Sequence, residues 1–315
     1  MAAGRATGEE GDSALSQLKL ALPAACSTCE AEAEPPVTPE TALSDRVRAA
    51  HANSVVILCG KKMVNGEEMR RGGTGFIVHM DPKFCLIMTC GHVLHGFIPE
   101  TISATFGNIE IKARVVFCDP AKEVGMVRVD QSDDPARFSR IVGYPQVRWA
   151  ANEAPAKSLV AILSRVTDTE LVFCEAPYVL PGTICVPPRF EAKRRGGEPL
   201  HLGTADYTSV PGNSGSSIFN GSLQVVGIHV SALALHARFV CLRGVALVMK
   251  KYLEDKPIQI EGDSTDVTNL LGQIIKTERL KGVGAGPSSG AGAGPSSGAG
   301  AGPSSSGAGA GASHS

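Results

Sequence analysis

The segment Val210-Pro211-Gly212-Asn213-Ser214-Gly215-Ser216-Ser217-Ile218-Phe219 constrains this chain most. It sets a serine among glycines in a turn and then runs directly into an apolar stretch. Glycine enters left-handed backbone without a Cβ penalty, so such a turn can be sharper than other residues allow. The serine hydroxyl is then exposed, and successive N–H groups can converge on one point where an oxyanion could form. The same Gly-Asn-Ser-Gly pattern also serves a plain hairpin, because Asn and Gly supply positive φ. By itself the turn leaves both readings open.

Upstream, Gly72-Gly73-Thr74-Gly75-Phe76-Ile77-Val78 reads as a strand entered through a glycine turn. Cys85 to Val93 reads as a buried strand that ends in a small-residue step and His92. Ala113 to Cys118 is a further strand, followed by Asp119-Pro120-Ala121-Lys122-Glu123 and the apolar run Val124 to Val129. Later candidate strands are Ser158–Leu163, Leu171–Cys174, Thr183–Val186, Leu223–Val230 and Phe239–Leu242. Long helical periodicity is absent in between, which predicts many short strands. Short helices are expected at Thr41–Ala52 and Ala246–Leu253.

Three motifs now stand in order: Thr89 to Val93, Asp119 to Val129, and Pro211 to Gly215 followed by Gln224 to Ile228. Together they resemble the trypsin/chymotrypsin-like serine proteases, and within them the Deg/HtrA branch. The resemblance covers residues 45–255. It implies an all-β fold of two antiparallel six-stranded barrels, one over about 50–150 and one over about 155–252, with the active site in the cleft between them. Such clefts are where ligand sites tend to form. It also implies Ser214 as nucleophile, His92 as general base, and the N–H groups of Gly212 and Ser214 as the oxyanion hole. Glu123 stands where the family usually has Asp; related viral proteases of the same fold are similar in using Glu. The acid's task is to accept the histidine's other N–H and fix its tautomer. Glu123 is the first candidate for it and Asp119 the fallback.

Where trypsin-type enzymes carry an acid that binds basic side chains, this chain has Thr208, so cleavage after Lys or Arg is not implied. The pair Thr208 and His229 resembles that of glutamyl- and glutaminyl-specific members of the fold. Small aliphatic P1 residues, as in Deg-like members, are the competing expectation. Gly227 to Val230 is similar to the strand that binds substrate backbone. Deg-like proteins commonly add a PDZ module; no stretch long enough for one is expected here.

The remaining features are bland. Residues 187–197 carry a basic cluster, Arg189 with Lys193, Arg194 and Arg195, which reads as a solvated loop; self-cleavage, an anionic partner or nuclear import are other uses. Residues 1–44 form a low-order segment, and residues 256–315 a linker and tail whose Gly-Ala-Gly-Pro-Ser-Ser repeats cannot bury enough surface to order. With a net charge of −1, nucleic acid is not an implied partner. No apolar run reaches the roughly 18 residues of a membrane span. Nine cysteines, an odd number, sit mostly in strand-like segments and point to a reducing compartment, cytoplasm or nucleus, rather than to a disulfide framework. Cys26 and Cys29 have no second pair at zinc spacing, and His95 reads as a surface residue, so no metal or cofactor is expected. The reading is a serine endopeptidase acting on proteins or peptides. The alternative is a catalytically weak protein of protease fold that binds peptides or partners in its cleft.

Overall fold

The computed structural model describes residues 36–166, 173–191, 200–233, 236–256 and 265–283. Thr38 opens α1 (Pro39–His51), its hydroxyl accepting from Thr41 N at 3.2 Å, with Pro39 at the first helical position. The chain then runs through β1 (Val55–Val64), β2 (Glu67–Met80), β3 (Phe84–Thr89), α2 (Gly91–Leu94), β4 (Ser103–Phe106), β5 (Ile109–Lys112), β6 (Arg114–Asp119), β7 (Val124–Asp130) and α3 (Pro135–Ser139). The β1–β2 hairpin turns at Asn65-Gly66, where both residues have positive φ, as a two-residue loop between right-twisted strands requires.

These strands form one antiparallel sheet in the order β5-β4-β1-β2-β3-β7-β6. The expected first barrel of six strands is thus an open, curled sheet of seven. Its edge strands β5 and β6 are not hydrogen-bonded to each other. They are joined instead by the chain itself at Ala113, whose N–H goes to Ile102 O at 2.9 Å. β4 and β5 are four residues each, too short for their alternation to stand out in the sequence.

The second unit comprises β8 (Leu159–Val166), β9 (Phe173–Glu191), β10 (Leu200–Ala205), β11 (Ser217–Asn220), β12 (Val225–Leu233) and β13 (His236–Cys241). They close a barrel in the order β10-β13-β12-β11-β8-β9. β9 pairs with β8 through its first half and with β10 through its second. Two separate strands were expected there, the first of them beginning at Leu171, outside the described residues. One apolar core runs through both units, and the Phe76 and Trp149 rings meet edge-on at 5.8 Å within it.

α4 (Leu242–Glu254) begins earlier than expected, and α5 (Val267–Val283) was not expected at all. The assignment of 256–315 to linker and tail is therefore corrected over residues 267–283. Leu270, Leu271 and Ile274 bury one face of α5, and Glu278 is 0% exposed. Its carboxylate meets Arg114, Arg128, Lys281 and the Tyr252 hydroxyl. A helix of mixed polarity becomes stable here through tertiary partners more than a hundred residues away, which local pattern cannot show. Residues 39–44 likewise belong to α1 rather than to a low-order segment. Among the described residues no helix is long and apolar enough to cross a membrane. The basic cluster's Lys193, Arg194 and Arg195, Cys26, Cys29 and the repeat tail lie outside the described residues.

Candidate functional site

His92 sits in α2, directly after β3. A Cβ on Gly91 would lie 2.5 Å from Asp119 O and 2.7 Å from Pro120 Cα, so only glycine lets the β6–β7 turn lie against this helix. Asp119 ends β6 just before that turn; its Oδ1 accepts from Lys122 N at 2.9 Å, and Oδ2 lies 3.8 Å from Lys251 Nζ. Glu123 closes the turn with φ +59, a left-handed backbone that costs a residue with a side chain roughly 1–2 kcal/mol. That conformation carries its carboxylate back over α2. Oε2 accepts from His92 N at 3.0 Å and lies 2.9 Å from His92 Nδ1. Of the two candidate acids, the structure brings Glu123 to the ring.

The ring is 42% exposed on its side chain, and Glu123 19%. Burial disfavours charge on the imidazole, but the neighbouring Cys90 thiol and the Glu123 carboxylate outweigh it and raise its pKa above the usual 6.5. Cys90, buried behind the helix, puts Sγ 3.5 Å from Nδ1 and 3.7 Å from Nε2.

Ser214 is held between Gly212 (φ +90) and Gly215 (φ +89). The turn is fixed from within by Asn213 N to Val210 O at 3.2 Å and Ser216 N to Asn213 O at 2.9 Å. From outside, Tyr178 donates to Asn213 Oδ1. Gly215 N donates to His229 O at 2.8 Å. A Cβ on Gly215 would lie 2.0 Å from Thr74 O and 2.2 Å from Thr89 Oγ1, so the close approach of the two units here requires glycine. Thr74 joins them: its N–H goes to Ser214 O at 2.9 Å and its hydroxyl to Gly212 O at 3.0 Å. Thr89, three residues before His92, donates to Thr74 O at 2.7 Å. Both threonines are fully buried. This relay from the histidine's strand to the serine's turn was not anticipated; small buried hydroxyls next to glycines are its only mark in the sequence. Among the described residues no backbone carbonyl takes the N–H of Gly212 or Ser214.

His92, Glu123, Gly212, Ser214, Ser209 and His229 all line one open cleft of about 490 Å³. The Ser214 hydroxyl donates to Val230 O at 3.2 Å. A larger depression, about 610 Å³, lies at the β2–β3 turn beside α5, where Arg128 and Arg279 are already paired with Asp130 and Asp81. The smaller cleft is the one lined by the candidate residues Ser214, His92 and Glu123.

His229 is buried on β12, with Nδ1 2.9 Å from the Tyr207 hydroxyl and Nε2 2.9 Å from Ser209 Oγ. Thr208 is exposed and does not line the cleft. The pairing of Thr208 with His229 is therefore corrected: Ser209 supplies the hydroxyl. Residues 206–210 lie outside any strand, so no alternation in the sequence tells which of two adjacent hydroxyls faces inward. Burial and the neighbouring His92 push the His229 pKa down to about 3, which keeps its ring neutral.

Residues 73–228 match the family model of the trypsin-like peptidase domain. Among solved structures, the chain is similar to the active form of the Rv3671c protease from M. tuberculosis, with a TM-score of 0.55 and 21% identity over 74% of this chain and 97% of that one. A serine-to-alanine mutant of Rv3671c from M. tuberculosis H37Rv, in its inactive form, gives a TM-score of 0.53 and 22% identity over 71% and 99%. At such identities the likeness is one of fold. No curated protein matches the sequence.

Proposed function

The chain belongs to the trypsin-like peptidase family, and from that premise we propose that it is a serine endopeptidase whose reacting groups are Ser214, His92 and Glu123. The observation that carries the proposal is the 2.9 Å contact between Glu123 Oε2 and His92 Nδ1 in the cleft that Ser214 also lines. With Nδ1–H held by the carboxylate, Nε2 presents its lone pair to the cleft. It takes the Ser214 proton as Oγ attacks the scissile carbonyl. Before attack the hydroxyl must exchange Val230 O for the ring nitrogen. Charge developing on the carbonyl oxygen is met by the Gly212 and Ser214 N–H groups. The imidazolium then protonates the leaving amine, and water, activated by the same ring, hydrolyses the acyl-enzyme.

Ser209 and His229 support a P1 side chain bearing a carbonyl oxygen. Bonded to each other at 2.9 Å, the two can turn one uncharged donor to such a group, and a buried carboxylate without a cation is costly. Glutamine is accordingly preferred to glutamate, and both to small aliphatic residues.

One observation favours the alternative of a binding protein with little turnover: the Ser214 hydroxyl is engaged by Val230 O. A fluorophosphonate probe decides between the two. The endopeptidase reading expects covalent labelling of the intact chain that disappears in Ser214→Ala; equal signal in both would remove it.

A further inference from the structure

Cys90, His92 and Glu123 come from two elements, the end of β3 with α2 and the β6–β7 turn, and offer one thiol, one imidazole and one carboxylate whose ligand atoms all lie within 4.8 Å of one another. We propose that Cys90 Sγ, His92 Nδ1 and the Glu123 carboxylate form an inhibitory site for a borderline-soft divalent cation, zinc before others.

The ligand set selects the metal class. Thiolate and imidazole favour zinc and its neighbours, whereas magnesium and calcium take oxygen ligands. With Zn–S about 2.3 Å and Zn–N about 2.0 Å, a sulfur and a nitrogen on one tetrahedral edge stand roughly 3.5 Å apart. Cys90 Sγ stands 3.5 Å from His92 Nδ1 and 3.7 Å from Nε2, so it lies over the ring face and must swing about the Cys90 Cα–Cβ bond to meet a cation held in the ring plane at Nδ1. Nδ1 and Glu123 Oε2, at 2.9 Å, would open by about half an ångström to reach the corresponding edge. Nδ1 is the ring nitrogen in reach of both other ligands. Three protein ligands leave the fourth position to water from the cleft, the arrangement of an open zinc site.

The chemistry of inhibition follows from which proton the cation replaces. In the peptidase reading, on which this inference rests, Nδ1 carries the proton and Nε2 the lone pair. A cation on Nδ1 forms a bond with that nitrogen's lone pair, so the ring's proton resides on Nε2 instead. The thiol loses its proton to solvent as the metal–sulfur bond forms. Nε2–H cannot accept the Ser214 proton, and Glu123 is occupied as a ligand. A triad without the thiol offers only two of these ligands; Cys90 is what turns this one into a cation site.

The test uses the full chain carrying Ser214→Ala, so that binding is read without activity, and cobalt(II) as a coloured stand-in for zinc. Titration is expected to give one tight site with a thiolate-to-cobalt charge-transfer band. Cys90→Ser and Cys90→Ala, each checked for folding by its melting curve, should abolish the band and weaken zinc binding by at least about tenfold, since even outer-sphere partners are worth 10–100-fold. In the unsubstituted serine background, zinc should slow fluorophosphonate labelling, a chelator should restore it, and either Cys90 variant should be insensitive to zinc. A chain that labels at Ser214 but shows no thiolate band, or keeps its zinc sensitivity without Cys90, overturns the inhibitory site and leaves the peptidase intact. A thiolate band that depends on Cys90 in a chain that never labels leaves the cation site and removes the peptidase.

Discussion

One carboxylate oxygen of Glu123 holds His92 twice, at the backbone N–H (3.0 Å) and at ring Nδ1 (2.9 Å). The imidazole's position is thereby tied to the helix that carries it, and its tautomer is set by the same atom. Glu123→Gln keeps the shape but presents an amide where an acceptor is needed. The expected loss in kcat is about 10³–10⁴, the scale found when a triad carboxylate is replaced by an amide. Steady-state kinetics on a peptide substrate, with the melting temperature unchanged, checks it.

The same pair sets the pH dependence. His92 acts as a base only when its ring is neutral, and its pKa is raised above 6.5 by Cys90 and Glu123 against the opposing effect of burial. Activity is therefore lost as pH falls through that raised value. Glu123→Gln removes one source of the rise, so the acidic limb of kcat/KM should move to lower pH even as its plateau drops. A limb that stays in place, or moves up, would contradict this account.

His229 gives the opposite sign. Its folded-state pKa is about 3, against an ordinary 6.5, so the folded protein resists a proton that the unfolded chain accepts. Its neutral ring contributes full stability above pH 6.5, and that contribution is lost as pH falls from 6.5 toward 3. The amount is on the order of 5 kcal/mol. Urea denaturation across this window should show a steeper acid loss in the native chain than in His229→Gln.

Gly215→Ala tests the joint between the two units. The new Cβ would meet Thr74 O and Thr89 Oγ1 at 2.0 and 2.2 Å, with φ at +89. The serine turn must shift, and since misplacement by about 1 Å can cost 10²-fold, labelling of Ser214 should slow by at least that factor. Thr74→Val, which keeps volume and removes only the hydroxyl, should have a smaller effect in the same assay.

Glu278 predicts a stability effect remote from the cleft. It is 0% exposed and Arg128 4%; without Glu278, Arg128 keeps Asp130, but it, Arg114 and Lys281 all lose a buried acceptor. Glu278→Ala should lower stability by about 1–3 kcal/mol, because Arg128 keeps Asp130 as a partner, and Arg128→Met in the same chain should recover part of that loss. Denaturant unfolding of the native chain and the two variants measures it.

Much of this was legible in the residues, and the omissions share a cause. The glycine-flanked turn, the Thr-x-x-His step and the acid after Asp119-Pro120 are local patterns, and they place Ser214, His92 and Glu123 on one cleft. Strands with several consecutive apolar residues, such as Cys85–Met88, announce themselves by composition. What stayed hidden depends on partners distant in sequence. α5 is stabilised by Arg114 and Arg128; Thr74 matters because Ser214 folds against it; Ser209 faces inward because Tyr207 and His229 do. The left-handed backbone at Glu123 is similar: nothing in Lys122-Glu123-Val124 announces a positive φ.

That backbone has an evolutionary corollary. Asn, Asp and Gly are the residues most at ease in left-handed geometry, yet none of them carries a carboxylate on a stem as long as glutamate's. Relaxing the turn and keeping the histidine's anchor are thus mutually exclusive through any single replacement at this position, and improvement would have to come through lengthening or reshaping the loop around it.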